Sequence, residues 1–161
     1  MNWDKLYQLQ NELDTYIETN QGIKKQDVFE KKYLALLVEL GELANETRCF
    51  KFWSNKPRSE RETILEEYVD GVHFLLSLGI TKGHYFSGNV SRNKMEDETK
   101  LFLNAYTACH HFFQHPTSVN YDHLWETYLH LGQALGFSEA DVHRAYLEKN
   151  EVNFVRQDEG Y

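Results

Sequence analysis

The sequence predicts an all-α fold, a helical bundle of about six helices in which residues 1–161 form one domain. Apolar side chains recur at spacings of three and four residues, as in Leu6, Leu9 and Leu13, which is the period of an amphipathic helix. The chain contains two prolines, and it shows no series of short alternating segments that would predict strands. With 41% hydrophobic and 14% aromatic residues, the chain can bury a core without disulfide bonds.

Boundary residues delimit the periodic segments. Gly22, Gly79 and Gly136 each follow such a segment, as glycine commonly does at helix C-termini, and Pro116 follows another. The predicted helices are Trp3–Thr19, Gln26–Cys49, a third from a cap at Ser59 to Leu78, Lys94–Gln114, Tyr121–Leu135, and a sixth from a cap at Ser138 to Asn153. Residues 80–92 are expected to form a loop, and residues 155–161 a polar tail.

Two serine–acid pairs predict helix starts. Ser59 precedes Glu62 by three residues, and Ser138 precedes Asp141 by the same distance. In such a capping box, each side chain accepts a hydrogen bond from a backbone N–H group that the helix leaves free. We therefore expect the third and sixth helices to begin directly after these serines.

Charge and cysteine content exclude several classes of function. The formal net charge is −8 and the pI is about 5.5, which disfavours a nucleic-acid-binding or membrane-binding basic face. No apolar run is long enough to span a bilayer, and the N-terminus has no apolar signal core. Cys49 and Cys109 have neither zinc-site nor redox-motif spacing, so they are expected to be free thiols in the cytoplasm.

Two pairs of acidic residues carry the strongest chemical signal. Glu39 and Glu42 lie in the second predicted helix, and Glu67 and Asp70 lie in the third. A spacing of three places both carboxylates of a pair on one helix face, next to the apolar residues of that helix. Gly41 lies about 160° away from Glu39 on a helical wheel, so we assign it to close helix packing behind the acids.

If the two helices pack against each other, four carboxylates converge. Like charges this close cannot all remain ionised unless a proton or a cation compensates them. Because every ligand is an oxygen, the set suits Mg²⁺, with Mn²⁺ as an alternative, and does not suit Zn²⁺. Two such ions can bind a phosphate chain and activate a water molecule.

These patterns resemble a known family, the dimeric all-α dUTPases of the MazG-like nucleoside triphosphate pyrophosphatases. The resemblance rests on ExxE at Glu39–Glu42 and ExxD at Glu67–Asp70, with His73 following, on Phe50-Lys51-Phe52-Trp53, and on the C-terminal segment 149–161. It implies a four-helix catalytic core and Mg²⁺-dependent hydrolysis of dUTP, and of dUDP, to dUMP. It also implies a homodimer, and metal binding by Glu39, Glu42, Glu67 and Asp70.

The resemblance also implies roles for individual side chains. Either Glu39 or Glu42 would orient or deprotonate the attacking water. The residues implied to contact the nucleoside are Trp53, His73, Asn150 and, for the uracil, Gln10. Those implied to contact phosphate oxygens are Lys149, Asn153 and Arg156, and Asn150 could serve here instead.

Other interpretations stay open from the sequence alone. A MazG-like pyrophosphatase could act on another nucleotide such as dCTP. A di-iron bundle would need Glu-x-x-His, for which Asp70-x-x-His73 is the nearest approach. A non-enzymatic helical bundle, with or without metal, is the third alternative. The segment Cys109–His115 matches no common metal site, and we interpret it as an aromatic core or dimer face.

Overall fold

The computed structural model describes residues 1–91 and 96–161, and over these residues the protein consists of helices and loops without a strand. The helices are α1 (Trp3–Gln21), α2 (Phe29–Thr47), α3 (Arg61–Lys82), α4 (Glu98–Gln114), α5 (Ser118–Ala134) and α6 (Glu139–Asp158), with a 3₁₀ turn at Lys25–Val28. The predicted all-α bundle is confirmed. Among the described residues, no helix combines the length and the apolar character that crossing a membrane requires.

α3 is the central helix of the bundle. It packs against α1, α2, α5 and α6, and its buried residues, such as Leu65, Val69, Val72 and Leu76, cover more than one face. A helix that is apolar nearly all round is buried on several sides. As a result, the polar residues of α3 face other helices instead of bulk water.

Tyrosines and glycines set the distance between α3 and α5. The Tyr128 hydroxyl donates to the Tyr68 carbonyl at 2.8 Å, and the Tyr68 hydroxyl donates to the Tyr128 carbonyl at 3.2 Å. Their rings stack with centroids 4.7 Å apart. This close approach requires glycine opposite each ring, namely Gly71 on α3 and Gly132 on α5.

α3 extends past its predicted end at Leu78. Gly79 lies inside the helix, where a Cβ atom would come within 2.1 Å of the Tyr121 hydroxyl, so this glycine serves packing. The helix ends instead at Gly83, which adopts a left-handed conformation with φ of 72°. The predicted loop 80–92 is therefore wrong for its first residues.

The predicted cap at Ser59 is also wrong. The N-cap residue of α3 is Glu60, and Ser59 instead bonds to Glu46 near the end of α2, through its hydroxyl to the carboxylate and through its N–H to the carbonyl at 3.0 Å. Ser59 thus fastens the loop after α2 to that helix. The capping box of Ser138 and Asp141 is confirmed.

Other helix boundaries differ at their ends. The α-helical part of α2 begins after the 3₁₀ turn and ends at Thr47, where Arg48 adopts a left-handed conformation with φ of 58°. α5 begins at Ser118, before the predicted Tyr121. α4 ends at Gln114 as predicted, and its predicted start at Lys94 lies outside the described residues.

The last helix is longer than predicted. α6 continues past Asn153 to Asp158, so residues 155–158 are helical and do not form a polar tail. Helical continuation brings Arg156, and after it Tyr161, to the same side of the molecule as Asn153.

The segment Cys109–His115 contributes to the core. Cys109 and Phe112 are buried, and Phe113 stacks on Tyr33 with ring centroids 4.3 Å apart. Both cysteines are free thiols, as predicted.

Gly71→Ala should lower the free energy of unfolding by about 1–3 kcal/mol, because a Cβ atom there would lie 2.0 Å from the Tyr128 hydroxyl. Gly41→Ala is the matched control and should lower the free energy of unfolding less than Gly71→Ala, since its Cβ atom would lie 3.3 Å from the Tyr106 hydroxyl, a tight contact that works against the preference of about 1 kcal/mol of alanine for the helix. Urea unfolding of both variants checks this. Equal midpoints would contradict the packing argument.

Candidate active site

Carboxylates from α2 and α3 converge between the two helices. One carboxylate oxygen from each of Glu39, Glu67 and Asp70 lies within 4.8 Å of the other two. Glu42 is more exposed and lies beside them, close enough for its charge to act on Glu39 and Glu67. The spacing of three within each helix and the packing of α2 on α3 produce this cluster.

The cluster holds more negative charge than its surroundings compensate. Burial, together with the charges of Asp70, Glu42 and Glu67, raises the pKa of Glu39 to about 8. Burial and the neighbouring acids raise the pKa of Glu67 to about 7. Glu39 Oε2 is buried and has no hydrogen-bond partner among residues 1–91 and 96–161. Since a buried carboxylate oxygen needs a donor or a cation, the cluster can bind a positive ion.

Lys149 of α6 supplies part of the missing positive charge. Its Nζ atom donates to Asp70 Oδ2 at 2.8 Å and to Glu66 Oε1 at 2.9 Å. This ion pair partly offsets the burial that raises the pKa of Asp70. Lys149 was predicted to contact phosphate, and in this structure its ammonium group lies between carboxylates at the edge of the site.

A cavity of about 540 Å³ adjoins the cluster and includes Glu39 and Asp70 in its wall. Helices α1, α2, α3 and α6 all contribute to the wall, so the cavity and the acids form one site. The apolar lining residues include Leu13, Ile17, Ile23, Val28, Ala35 and Phe74. The polar and charged ones include Gln10, Asp14, Lys31, Lys32, His73, Ser77, Lys149, Asn153, Arg156 and Tyr161.

A buried polar network forms one side of the cavity. Gln10 of α1 bonds through Oε1 to His73 Nδ1 at 2.8 Å and through Nε2 to Asp14 Oδ1 at 2.8 Å. The Tyr146 hydroxyl of α6 donates to the same Gln10 oxygen at 2.9 Å. Ser77 donates to Asp14 Oδ2 at 2.6 Å.

Five of the seven residues predicted to bind substrate line the cavity, and two do not. Those in the wall are Gln10, His73, Lys149, Asn153 and Arg156. Trp53 is 64% exposed in the loop after α2 and contacts the rings of Phe50 and Phe52. Asn150 is buried outside the cavity wall, and its Oδ1 atom has no partner in the part of the chain that the structure describes.

Sequence reasoning missed several polar residues of the cavity, among them Asp14, Lys32 and Ser77. Asp14 follows Gln10 by four residues, and Ser77 follows His73 by four, so each lies on the face of a residue that was identified. This spacing was the available signal. Lys32 pairs with Glu18 at 3.2 Å and lies 3.7 Å from Asp14, and this contact between helices left no local pattern.

Fold and site together define an all-α protein with an anionic centre in the wall of a cavity large enough for a small molecule. Basic and amide side chains of α6 adjoin that centre. Comparison with protein families matches residues 2–161 to the dUTPase family. The chain therefore belongs to the dUTPase family, as the resemblance predicted, and it is a dUTP diphosphatase. Comparison with curated proteins gives no match.

Protein freed of divalent cations should lose stability as the pH rises from about 5 to 8. Glu39 and Glu67 have higher pKa values when folded, so the folded state binds more protons than the unfolded state in this range. We expect a loss on the order of 2 kcal/mol, allowing for solvent screening of these half-buried groups. Thermal unfolding in EDTA at several pH values measures it.

Glu39→Gln should flatten this pH dependence, because the amide stays neutral throughout the range. Glu151→Gln, at an exposed position of α6, is the control and should leave the slope unchanged. The interpretation of the cluster is wrong if both variants keep the full slope.

Proposed function

We propose that this dUTP diphosphatase depends on Mg²⁺ and that it hydrolyses dUDP as well as dUTP to dUMP. The observation that carries the proposal is the convergence of Glu39, Glu67 and Asp70 in a cavity whose wall also holds basic side chains of α6. An acidic protein can hold a polyphosphate beside carboxylates only if cations lie between them. Membership of the dUTPase family supports the choice of substrate.

The residues present fit a magnesium site. All ligand atoms would be oxygens, and Glu39 Oε2 is a buried acceptor without a donor, as a hard cation requires. Glu39, Glu67 and Asp70 would hold the metal, with Glu42 completing the set. Bound Mg²⁺, as two or more ions, would neutralise phosphate charge and lower the pKa of a water molecule, and Mn²⁺ could replace it.

Glu39 and Glu42 are the candidates for positioning the attacking water. The two carboxylates lie on the same face of α2, and Glu39 is the more buried of them. Without a cation, burial and the adjacent charges raise the pKa of Glu39 to about 8, so the base role requires bound metal to keep this carboxylate ionised at neutral pH. We assign one of these two glutamates to the orientation or deprotonation of the water.

Side chains of α6 are assigned to the phosphate chain. Lys149, Asn153 and Arg156 lie on the cavity wall, within two turns of one helix. Lys149 is already within reach of Asp70, so a phosphate held near that carboxylate would also meet the ammonium group. Arg156 adds a planar guanidinium group that can bind two phosphate oxygens at once.

The nucleoside is assigned to the side of the cavity formed by Gln10 and His73. Asn150 is proposed as a further contact, because its buried Oδ1 atom lacks a partner and α6 places it next to Lys149. Trp53 is still proposed to contact the nucleoside, although it does not line the cavity.

The free thiols of Cys49 and Cys109 suit a reducing compartment, and we place the enzyme in the cytoplasm.

A panel of deoxynucleoside triphosphates, each with Mg²⁺ or with EDTA, tests the proposed reaction. We expect pyrophosphate from dUTP with Mg²⁺ and none with EDTA. Asp70→Asn should lower turnover on the order of 100-fold or more, because it removes a metal ligand, whereas Glu151→Gln should retain activity. Cleavage of dCTP without cleavage of dUTP would show that the substrate is wrong, and full activity in EDTA would exclude the metal.

We propose a homodimer as the working assembly. Leu34 and Val38 of α2 are 61% and 49% exposed, and Leu103 of α4, a helix packed on α2, is 61% exposed. Large apolar side chains on neighbouring helices are typical of surfaces that another subunit covers.

Leu34→Glu should shift the protein from dimer to monomer, because a buried carboxylate without a partner is unfavourable. Val119→Glu is the matched control at an exposed valine of α5 and should leave the mass unchanged. Light scattering after size-exclusion chromatography measures both. A wild-type protein that is monomeric at micromolar concentration would rule out the dimer.

A further inference from the structure

Three helices contribute to one buried chain of hydrogen bonds that ends at His73. It runs from Asp14 to Gln10 on α1, from Gln10 to His73 on α3, and from Tyr146 on α6 to the same Gln10 oxygen. All four side chains are buried. Buried polar networks of this kind hold their members in fixed orientations.

The chain of bonds has a defined direction. The Asp14 carboxylate, close to Lys32 at 3.7 Å, can only accept hydrogen bonds, so the Gln10 group that faces it is the amide nitrogen. The Gln10 oxygen therefore faces His73 and accepts from the Tyr146 hydroxyl as well. An amide oxygen cannot donate, so the proton of the bond between Gln10 and His73 lies on His73 Nδ1.

His73 Nε2 is then a lone-pair acceptor without a partner. The His73 side chain is 5% exposed and stacks on Tyr146 with ring centroids 4.2 Å apart. Burial lowers the pKa of His73 to about 3, so the ring is neutral and only one of its nitrogens carries a proton. Nε2 makes no hydrogen bond within the described residues, although His73 lines the cavity.

We propose that Asp14 is a positioning residue that, through Gln10, fixes His73 as an acceptor-only contact for a hydrogen-bond donor of the bound nucleoside. This inference rests on the proposed function and deepens it, because it gives the cavity a means of base selection. Uracil presents N3–H, a donor, whereas cytosine presents a lone pair at N3. The other donor that deoxyuridine offers is its 3′-hydroxyl group, and cytosine has in addition an amino donor at C4, where uracil has an oxygen.

A lone pair that meets a donor forms a hydrogen bond, and one that meets another lone pair leaves two buried acceptors unpaired. Enzymes whose buried polar groups are left unpaired by the wrong substrate reject it strongly. The direction of the bond from Gln10 therefore decides which partner is favoured. If the Gln10 amide were reversed, Nδ1 of His73 would accept, Nε2 would carry the proton, and the preference would invert.

The first test is the protonation of His73 in the wild-type protein, read from ¹⁵N NMR of histidine side chains. The His73 signals are those missing from His73→Asn. We expect a protonated Nδ1 and an unprotonated Nε2 between pH 6 and 8. A proton on Nε2, or on both nitrogens, would overturn the proposal, and this result needs neither a substrate nor a second variant.

The second test is Asp14→Asn, whose amide can donate to Gln10 and so permits Gln10 to reverse. We expect the His73 proton to move to Nε2, and the ratio of kcat/KM for dUTP to that for dCTP to fall by roughly tenfold or more, or about 1.4 kcal/mol. Glu18→Gln is the matched control, because Glu18 pairs with the same Lys32 but lies outside the bonds to Gln10 and His73. Tyr146→Phe should keep the Nδ1 proton, since Asp14 still holds Gln10.

A 3′-deoxy analogue of dUTP distinguishes the two donors. If the sugar hydroxyl is the partner, Asp14→Asn changes the preference for dUTP over this analogue and leaves the preference over dCTP intact. If neither ratio differs from that of Glu18→Gln, the positioning role is wrong. A protein that hydrolyses none of these nucleotides would refute the proposed function, while the NMR measurement would still decide the orientation of His73.

Discussion

The site depends on one electrostatic constraint, the convergence of like charges between two packed helices. Carboxylate oxygens of Glu39, Glu67 and Asp70 lie within 4.8 Å of one another, and the charge of Glu42 adds to the repulsion. Such an arrangement opposes folding at neutral pH unless protons or cations offset it. Lys149 offsets part of it through Asp70, and Glu39 Oε2, which has no donor among the described residues, marks the place of the proposed cation.

Central burial of α3 is what keeps these charges together. Tyr68 and Tyr128 bond to each other's backbone, and Gly71 and Gly132 allow the rings to approach. Since interiors are packed as densely as organic crystals, α3 cannot rotate to move its acids away from α2. Apolar packing on the α5 side of α3 therefore holds Glu67 and Asp70 opposite Glu39.

The sequence was informative wherever one helix carried the signal. Spacing of three placed Glu39 with Glu42 and Glu67 with Asp70, and apolar periodicity predicted six helices. Errors arose where a distant contact decided the outcome. Gly79 resembles a helix end but receives the Tyr121 ring, and Ser59 resembles a cap but bonds to Glu46. The place of Lys32 in the cavity wall likewise depends on its contacts with another helix, which no spacing within one helix reveals.

The cavity has a charged end at the carboxylate cluster of Glu39 and a hydrogen-bonded end at Gln10. Because the two ends differ, the proposed nucleotide substrate would fit in one orientation. Around Glu39 the carboxylates have only a partial positive partner in Lys149, so the proposed cations, and the phosphates they would carry, belong at that end. In the network of Asp14, Gln10 and Tyr146 the polar groups are bonded to one another, and His73 Nε2 is an acceptor that has no partner among the described residues. A site of the first kind binds by charge and tolerates many phosphate chains. One of the second kind selects by hydrogen-bond direction, and under the proposed function the discrimination between nucleosides would belong to the α1 side of α3.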